Sequence, residues 1–235
     1  MTSISAPRLC SKRIDFFRPD GSLMDLAHPE ACEIDFNEVA FGLAKINRFT
    51  GTYPGVGYSD AQHCVMGAQA LLREGEDELT AALFLLHDAH EYKLGDDSRP
   101  KQDLVAAMLD DFSPKAAEAY RSVVASAKAG WDSAIYAAAG LPAPSAWTKK
   151  QAHAVERMDV RMAAAEAESL FGAAARKKYP LSKFPAPLTI GAITPWAPAK
   201  AELAFLEYFD RLIGIQQRMN AANNNLMHRK IVSGR

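Results

Sequence analysis

The sequence has little of what marks several protein classes. Three cysteines, Cys10, Cys32 and Cys64, occur in 235 residues and none lies in a CxxC pair. A disulfide framework or a zinc knuckle is therefore not expected, and a reducing compartment is. The longest apolar runs, such as Ala81 to Leu86, are far too short to cross a bilayer. The opening residues MTSISAPRLCSKRIDFF hold no apolar stretch of the signal-peptide kind, so a cytoplasmic location and no membrane partner are expected. Excess charge of either sign is missing too: 28 acidic residues face 27 Lys and Arg. Such a balance gives no field that would gather a nucleic-acid polymer, and leaves a small anion held by a few local charges. No GxxxxGK[ST] loop and no nucleophilic Ser or Cys motif occurs, which argues against a phosphate-cradling loop and a covalent intermediate. Strand signals and internal repeats are sparse or absent, so the class is all-α.

What is present is enough apolar material for one large core, 49% of residues, and a series of helix-start signals. Asp35 with Glu38 opens a helix to about Arg48. Ser59 with Gln62 opens one to about Arg73, and Thr148 with Gln151 opens a long one to about Phe171. Ser113-Pro114 is a further start. Asp77 to Lys93 reads as one helix, apolar all round at AALFLL and therefore buried, and Gly95 ends it. Pro198 starts the last helix, with Leu203, Phe205, Leu206, Phe209 and Leu212 as its stripe. Pro19-Asp20-Gly21 marks a turn between two short apolar stretches, either a hairpin or an irregular cover strand. The whole is read as a single domain with a core at about residues 35–172. The N-terminal segment 1–34 covers it, residues 175–195 form a proline-rich loop excursion, and a helix at about 197–218 leads into a frayed polar tail.

Within this frame a few residues stand out as costly. His87 and Asp88 sit at the end of the apolar run, where a carboxylate is expensive unless paired or bound to a metal. On one continuous helix both can reach a single ion over the helix edge. Asp159 falls among Val155, Met158 and Met162, so it is expected to project into a buried stripe. His63 lies one turn inside the Ser59 helix beside Val65 and Met66. Taken singly, each has an ordinary explanation: a core histidine, a chance His-Asp pair, an Asp159 salt bridge to Arg48 or Arg157. Together they make an N₂O₂ donor set on separate helices, suited to one divalent transition metal, Mn²⁺, Co²⁺, Zn²⁺, Ni²⁺ or Fe²⁺, with Mg²⁺ also admissible.

The order His63, His87-Asp88, Asp159 resembles the H…HD…D signature of the HD-domain phosphohydrolase superfamily. The stretches HDAHEYKLGD with Arg99-Pro100, Asn47-Arg48-Phe49 and YSDAQH, ending in His63, are similar to its 5′-deoxynucleotidase-like branch, which includes phage and prophage dNTP triphosphohydrolases. The likeness covers about residues 12–170, more weakly the terminal helix. It implies an HD-type helical bundle around one metal, with His63, His87, Asp88 and Asp159 as ligands. It assigns Glu91 to the attacking water and Asp96 to support of water or leaving group. Arg48 falls on the substrate phosphate, Phe49 against the sugar, and Arg99 and Lys101 among further phosphate contacts.

For each of these the residues alone allow a plainer role: ion-paired Glu91, turn residue Asp96, helix-end Arg48, core Phe49, solvated Arg99 and Lys101. His90 is placed beside the site at most, and His28, His153 and His228 at the surface. Gln102 and Glu156 depart from the pattern, where relatives often carry basic residues. Both changes tilt the expected substrate toward a deoxynucleoside 5′-monophosphate and away from a dNTP cut to triphosphate. A metal-containing nucleotide-sensing module is the non-enzymatic alternative. Relatives also imply a homodimer or larger homo-oligomer.

Overall fold

The computed structural model describes residues 8–177 and 184–233, and they are mostly helical, as the sparse strand signals predict. At the N-terminal side, β1 (Asp15–Phe17) and β2 (Leu23–Asp25) form an antiparallel hairpin in which Phe16 faces Met24. Its turn closes where Asp20 accepts from the Ser22 amide at 2.9 Å and Gly21 takes a φ of 82°, a region open to glycine. The turn signal at Pro19-Asp20-Gly21 is thus a hairpin.

The core helices are α1 (Phe36–Leu43), α2 (Asp60–Arg73), α3 (Glu78–Leu85), α7 (Lys149–Phe171) and α9 (Pro198–Phe209). Between them come α4 (Glu91–Leu94), α5 (Arg99–Asp110) and α6 (Pro114–Ala139). The short α8 (Ala173–Arg176) precedes α9, and α10 (Ile215–Ser233) follows it. Two expected caps hold: Ser59 accepts from the Gln62 amide, and Thr148 with Gln151 makes a complete reciprocal box; at α3, Asp77 also caps, accepting from the Thr80 amide. At α1, Asp35 caps the Asn37 amide instead, and Glu38 turns to Lys93 and Arg229.

Burial explains the layout. From Thr80 to Leu85 every residue of α3 is buried, as its all-round apolar run requires, with α2, α7 and α9 packed about it. Gly67 lets α2 approach α3 closely, since a Cβ there would lie 2.1 Å from the Phe84 ring. Trp131, Ile135 and Tyr136 of α6 complete the core, and the Tyr136 hydroxyl donates to the Leu83 carbonyl at 2.6 Å.

Four boundaries differ from expectation. The first helix ends at Leu43, not near Arg48. The helix expected over Asp77 to Lys93 breaks into α3 and α4, with turns across residues 86–90. Residues Arg99–Asp110, left without a helix in the sequence reading, form α5. The tail expected to fray continues past a π turn at Asp210–Gly214 as α10, where Arg218 pairs with Asp210 and Asn225 donates to the Glu33 carbonyl. In α9 the buried stripe is Ala201, Phe205 and Phe209, while Leu203 is exposed. Part of the proline-rich excursion, residues 178–183, lies outside the described residues. Its remainder holds α8 and an extended run, whose Thr194 carbonyl accepts from Gln62 and whose Trp196 amide donates to Gln62. No helix among the described residues is long and apolar enough to cross a membrane.

Candidate metal centre

Three buried elements deliver four donor groups to one point. His63 comes from the first turn of α2, His87 and Asp88 from the turns after α3, and Asp159 from the middle of α7. One ligand atom from each lies within 4.8 Å of the others. His63 Nε2 is 3.4 Å from His87 Nε2 and 3.2 Å from Asp159 Oδ1, and His87 Nε2 is 3.2 Å from Asp88 Oδ2. Separations of this size fit donors spread about a centre roughly 2.1 Å from each, the range of Zn–N and Zn–O bonds.

The two imidazoles are held so that the same nitrogen of each faces the centre. His63 Nδ1 donates to Glu166 Oε1 at 2.7 Å, and His87 Nδ1 donates to the Phe84 carbonyl at 2.7 Å. A carbonyl can only accept, and the Glu166 carboxyl is held below its ordinary range: against its burial, the His63 and Arg48 charges keep it ionised. Both Nδ1 atoms therefore carry hydrogen and both Nε2 atoms are left for a ligand role, the arrangement usual for metal-bound histidine.

The break after α3 has a local cause and a use. Past Leu86 the backbone closes i→i−3 turns, with the His87 amide on Phe84 and the Glu91 amide on Asp88. His87 Nδ1 shares the Phe84 carbonyl, so a side chain takes part of the helical hydrogen bonding there. The expectation that His87, Asp88 and Glu91 ride one continuous helix face is therefore corrected: each is aimed by a turn.

Electrostatics are those of an acid-rich cluster. Despite their burial, the Asp88 and Asp159 carboxylates push the His87 imidazole well above its ordinary pKa. His63 is raised as well, since Glu166 and Asp159 outweigh burial and the nearby Arg48. Asp88 and Asp159 are correspondingly held low by the histidines, against the effect of burial. Protons on the Nε2 atoms occupy the position where a divalent cation would be favoured, and such binding displaces protons.

Arg48 is more central than its expected place at a helix end. It sits in the loop Arg48–Gly51, pinned beside α2 by its amide on the Tyr58 carbonyl at 2.8 Å. Its guanidinium reaches Glu166 at 3.0 Å, Asp88 at 3.4 Å, Asp60 at 3.5 Å and Asp159 at 4.0 Å. Asp159 thus has Arg48 and the two histidines as partners, while Arg157 lies over the Phe184 ring. Asp159 is also less buried than expected: its side chain is 39% exposed, against 0% for His63. The quartet accordingly opens toward solvent on its Asp159 side.

Glu91 is buried near Asp88 and Asp60. Burial, the Asp88 charge and the Asp60 charge push its carboxyl up to about 12, and burial takes Asp60 to about 6. Glu91 is thus a buried acid, not an exposed partner of Lys93 or Arg99. Asp96, half-buried after Gly95, is raised by burial and then by Asp88. Phe49 is only partly buried, has a φ of 55° and meets Phe171 edge-on with centroids 5.4 Å apart, so it is not a core residue. Arg99 and Lys101 are exposed in the first turn of α5, and Lys101 pairs with Asp97 at 2.9 Å; neither is brought into contact with the quartet. His90 Nδ1 donates to Asp132 Oδ1 at 2.9 Å, and its ring also lies near Asp88 and Glu91. His153 is exposed as expected, whereas His28 and His228 are half-buried.

Sequence reasoning missed Asp60 and Glu166. Both were within reach of a periodicity argument: Asp60 precedes His63 by three residues, and Glu166 follows Asp159 by seven, each on the same helix face. No family model matches the chain. An uncharacterized protein of Rhodobacter capsulatus is similar to it, 37% identical over 79 residues, which span 32% of this chain and 40% of that protein.

Proposed function

We propose that this chain is a divalent-metal-dependent phosphohydrolase of the HD-domain type, acting on deoxynucleoside 5′-monophosphates. The observation that carries the reading is the convergence of His63, His87, Asp88 and Asp159, with both histidines tied at Nδ1 and presenting Nε2. A divalent ion held by these four would supply Lewis acidity toward a phosphoryl oxygen and acidify water. The choice among Mn²⁺, Co²⁺, Zn²⁺, Ni²⁺ and Fe²⁺ follows from the N₂O₂ set.

The chain's own residues supply the rest. Glu166 fixes the His63 ring and neutralises one edge of Arg48. Arg48 offsets the mutual repulsion of Asp60, Asp88 and Asp159, and its remaining N–H groups suit a phosphate oxygen. The raised carboxyl of Glu91 lies beside Asp88, a place from which a proton can be taken up or released during hydrolysis. Phe49 and Phe171 offer an aromatic edge to a sugar or base. The monophosphate is favoured over the triphosphate because the surroundings of the quartet are rich in acids. The nearest expected extra cations, Arg99 and Lys101, stay on an exposed turn.

A product-resolved screen tests this: the four dNMPs, the four dNTPs and their ribose counterparts, each with Mn²⁺, Co²⁺, Zn²⁺ and Mg²⁺, beside a Glu91→Ala control. Phosphate released from dNMPs and lost in the control is the expected result. Triphosphate from a dNTP would move the activity to nucleotide-pool depletion. No turnover in a metal-loaded protein would overturn the hydrolase and leave nucleotide sensing.

A further inference from the structure

A second group of metal-competent side chains lies where α10 crosses the 3₁₀ turn Ala31–Glu33, on elements that contribute nothing to the quartet. Cys32 Sγ is 3.4 Å from His228 Nδ1, and a Glu30 carboxylate oxygen lies within 4.8 Å of both. The other ring nitrogen, His228 Nε2, is 3.5 Å from Glu33 Oε1. A carboxylate accepts and does not donate, so Glu33 favours the tautomer with hydrogen on Nε2. The Nδ1 lone pair is then turned toward the thiol and Glu30. Glu33 is itself held in place, since Arg18 donates to its Oε1 at 2.5 Å and Asn225 donates to its backbone carbonyl at 2.6 Å.

We propose that Glu30, Cys32 and His228 bind a second divalent cation of the zinc class, which clips α10 to the segment preceding α1. Around a tetrahedral zinc, with Zn–S near 2.3 Å and Zn–N near 2.0 Å, sulfur and nitrogen stand about 3.5 Å apart. The Cys32–His228 separation of 3.4 Å meets that spacing with no rearrangement. One thiolate, one imidazole and one carboxylate select Zn²⁺ or Co²⁺ over the harder Mg²⁺, Ca²⁺ or Mn²⁺. Glu30 and Glu33 place two acidic groups beside the thiol, Glu33 paired with Arg18 and Glu30 lying 4.0 Å from His28. All three donors are only partly buried, so a metal can enter from solvent and a remaining coordination position is open to water. A plain thiol–imidazole hydrogen bond would share the same distance, and metal loading separates the two.

The test is Co²⁺ titration of the whole chain after chelation, followed by the near-ultraviolet thiolate-to-cobalt charge-transfer band. The band is expected to rise and to saturate by two equivalents, since the quartet takes Co²⁺ without contributing a thiolate band. It should vanish in Cys32→Ser and in His228→Ala, with unchanged far-ultraviolet circular dichroism. It should persist in Cys64→Ala, which removes the buried thiol beside His87, and in Asp88→Asn, which impairs the quartet alone. Absence of the band in the wild-type chain, or its survival in Cys32→Ser, would overturn the proposal. If His228→Ala loses helicity, the Cys32→Ser result decides, because that change keeps the side chain's size.

Discussion

The wall made by α2, α3 and α7 and the arm made by α5 and the first half of α6 are built by opposite rules. On the wall, α2 is buried from Asp60 to Leu71 and α3 from Thr80 to Leu85, and the charged groups of Asp60, His63 and Glu166 meet partners at 3.5, 2.7 and 3.0 Å. On the arm, α5 buries only Ala106, while Leu104, Met108 and Phe112 are exposed and Lys101 pairs with Asp97 in the loop just before the helix. The lesson concerns precision. A carboxylate or imidazole on the wall is fixed by what surrounds it, whereas a cation on the arm keeps its solvent shell. A site that needs fixed donor positions is better built from the first than from the second.

The comparison can be broken most sharply at Glu166. Removing it in Glu166→Ala leaves His63 Nδ1 and Arg48 Nε without their buried acceptor. Such a loss costs about 3–5 kcal/mol, read from urea unfolding. A cost within ~0.5 kcal/mol, the surface norm, would mean the wall is no more exacting than the arm.

Glu91 gives the next effect, with a pH signature. Its folded carboxyl is pushed to about 12 from an ordinary 4.5, so the folded state keeps a proton that the unfolded chain releases. Stability of the metal-free protein must then fall as pH rises above the unfolded value. Glu91→Gln removes this dependence. The variant should match wild type below about pH 4 and melt progressively higher than wild type toward neutral and alkaline pH. Parallel melting curves at every pH would contradict the raised Glu91 carboxyl.

Gly67→Ala tests the packing of the wall, because the added Cβ meets the Phe84 ring. Overpacking of this kind costs about 1–3 kcal/mol, measured by thermal unfolding. The smallest effects belong to the arm: Arg99→Ala and Lys101→Ala should leave stability within ~0.5 kcal/mol. A rise in KM at constant kcat in either variant would bring the arm into substrate binding.

How far the sequence revealed this arrangement depends on which signal each part carries. The helix starts at Ser59 and Thr148 were legible because side-chain caps are local. His63, His87, Asp88 and Asp159 were legible because acids and imidazoles in apolar surroundings are costly anywhere in a chain. The break between α3 and α4 was hidden, since an all-round apolar run gives no period from which to read where a helix stops. The joint role of Arg48, Asp60 and Glu166 was hidden for another reason. Their partners are 12 to 118 residues away, and only tertiary packing sets those distances. The polar run of α10 looked unable to hold structure by itself. It is helical because Arg218, Asn225 and Arg229 anchor it to α1, the Ala31–Glu33 turn and the hairpin.

The central claim is that His63, His87, Asp88 and Asp159 hold one divalent ion, and Mn²⁺ binding followed by electron paramagnetic resonance tests it most directly. Mn²⁺ suits an N₂O₂ set and disfavours the thiolate seam at Cys32. The account predicts that wild type and Cys32→Ser each remove one equivalent of the free-ion signal, and that His87→Ala removes none. Equal uptake by wild type and His87→Ala would contradict it.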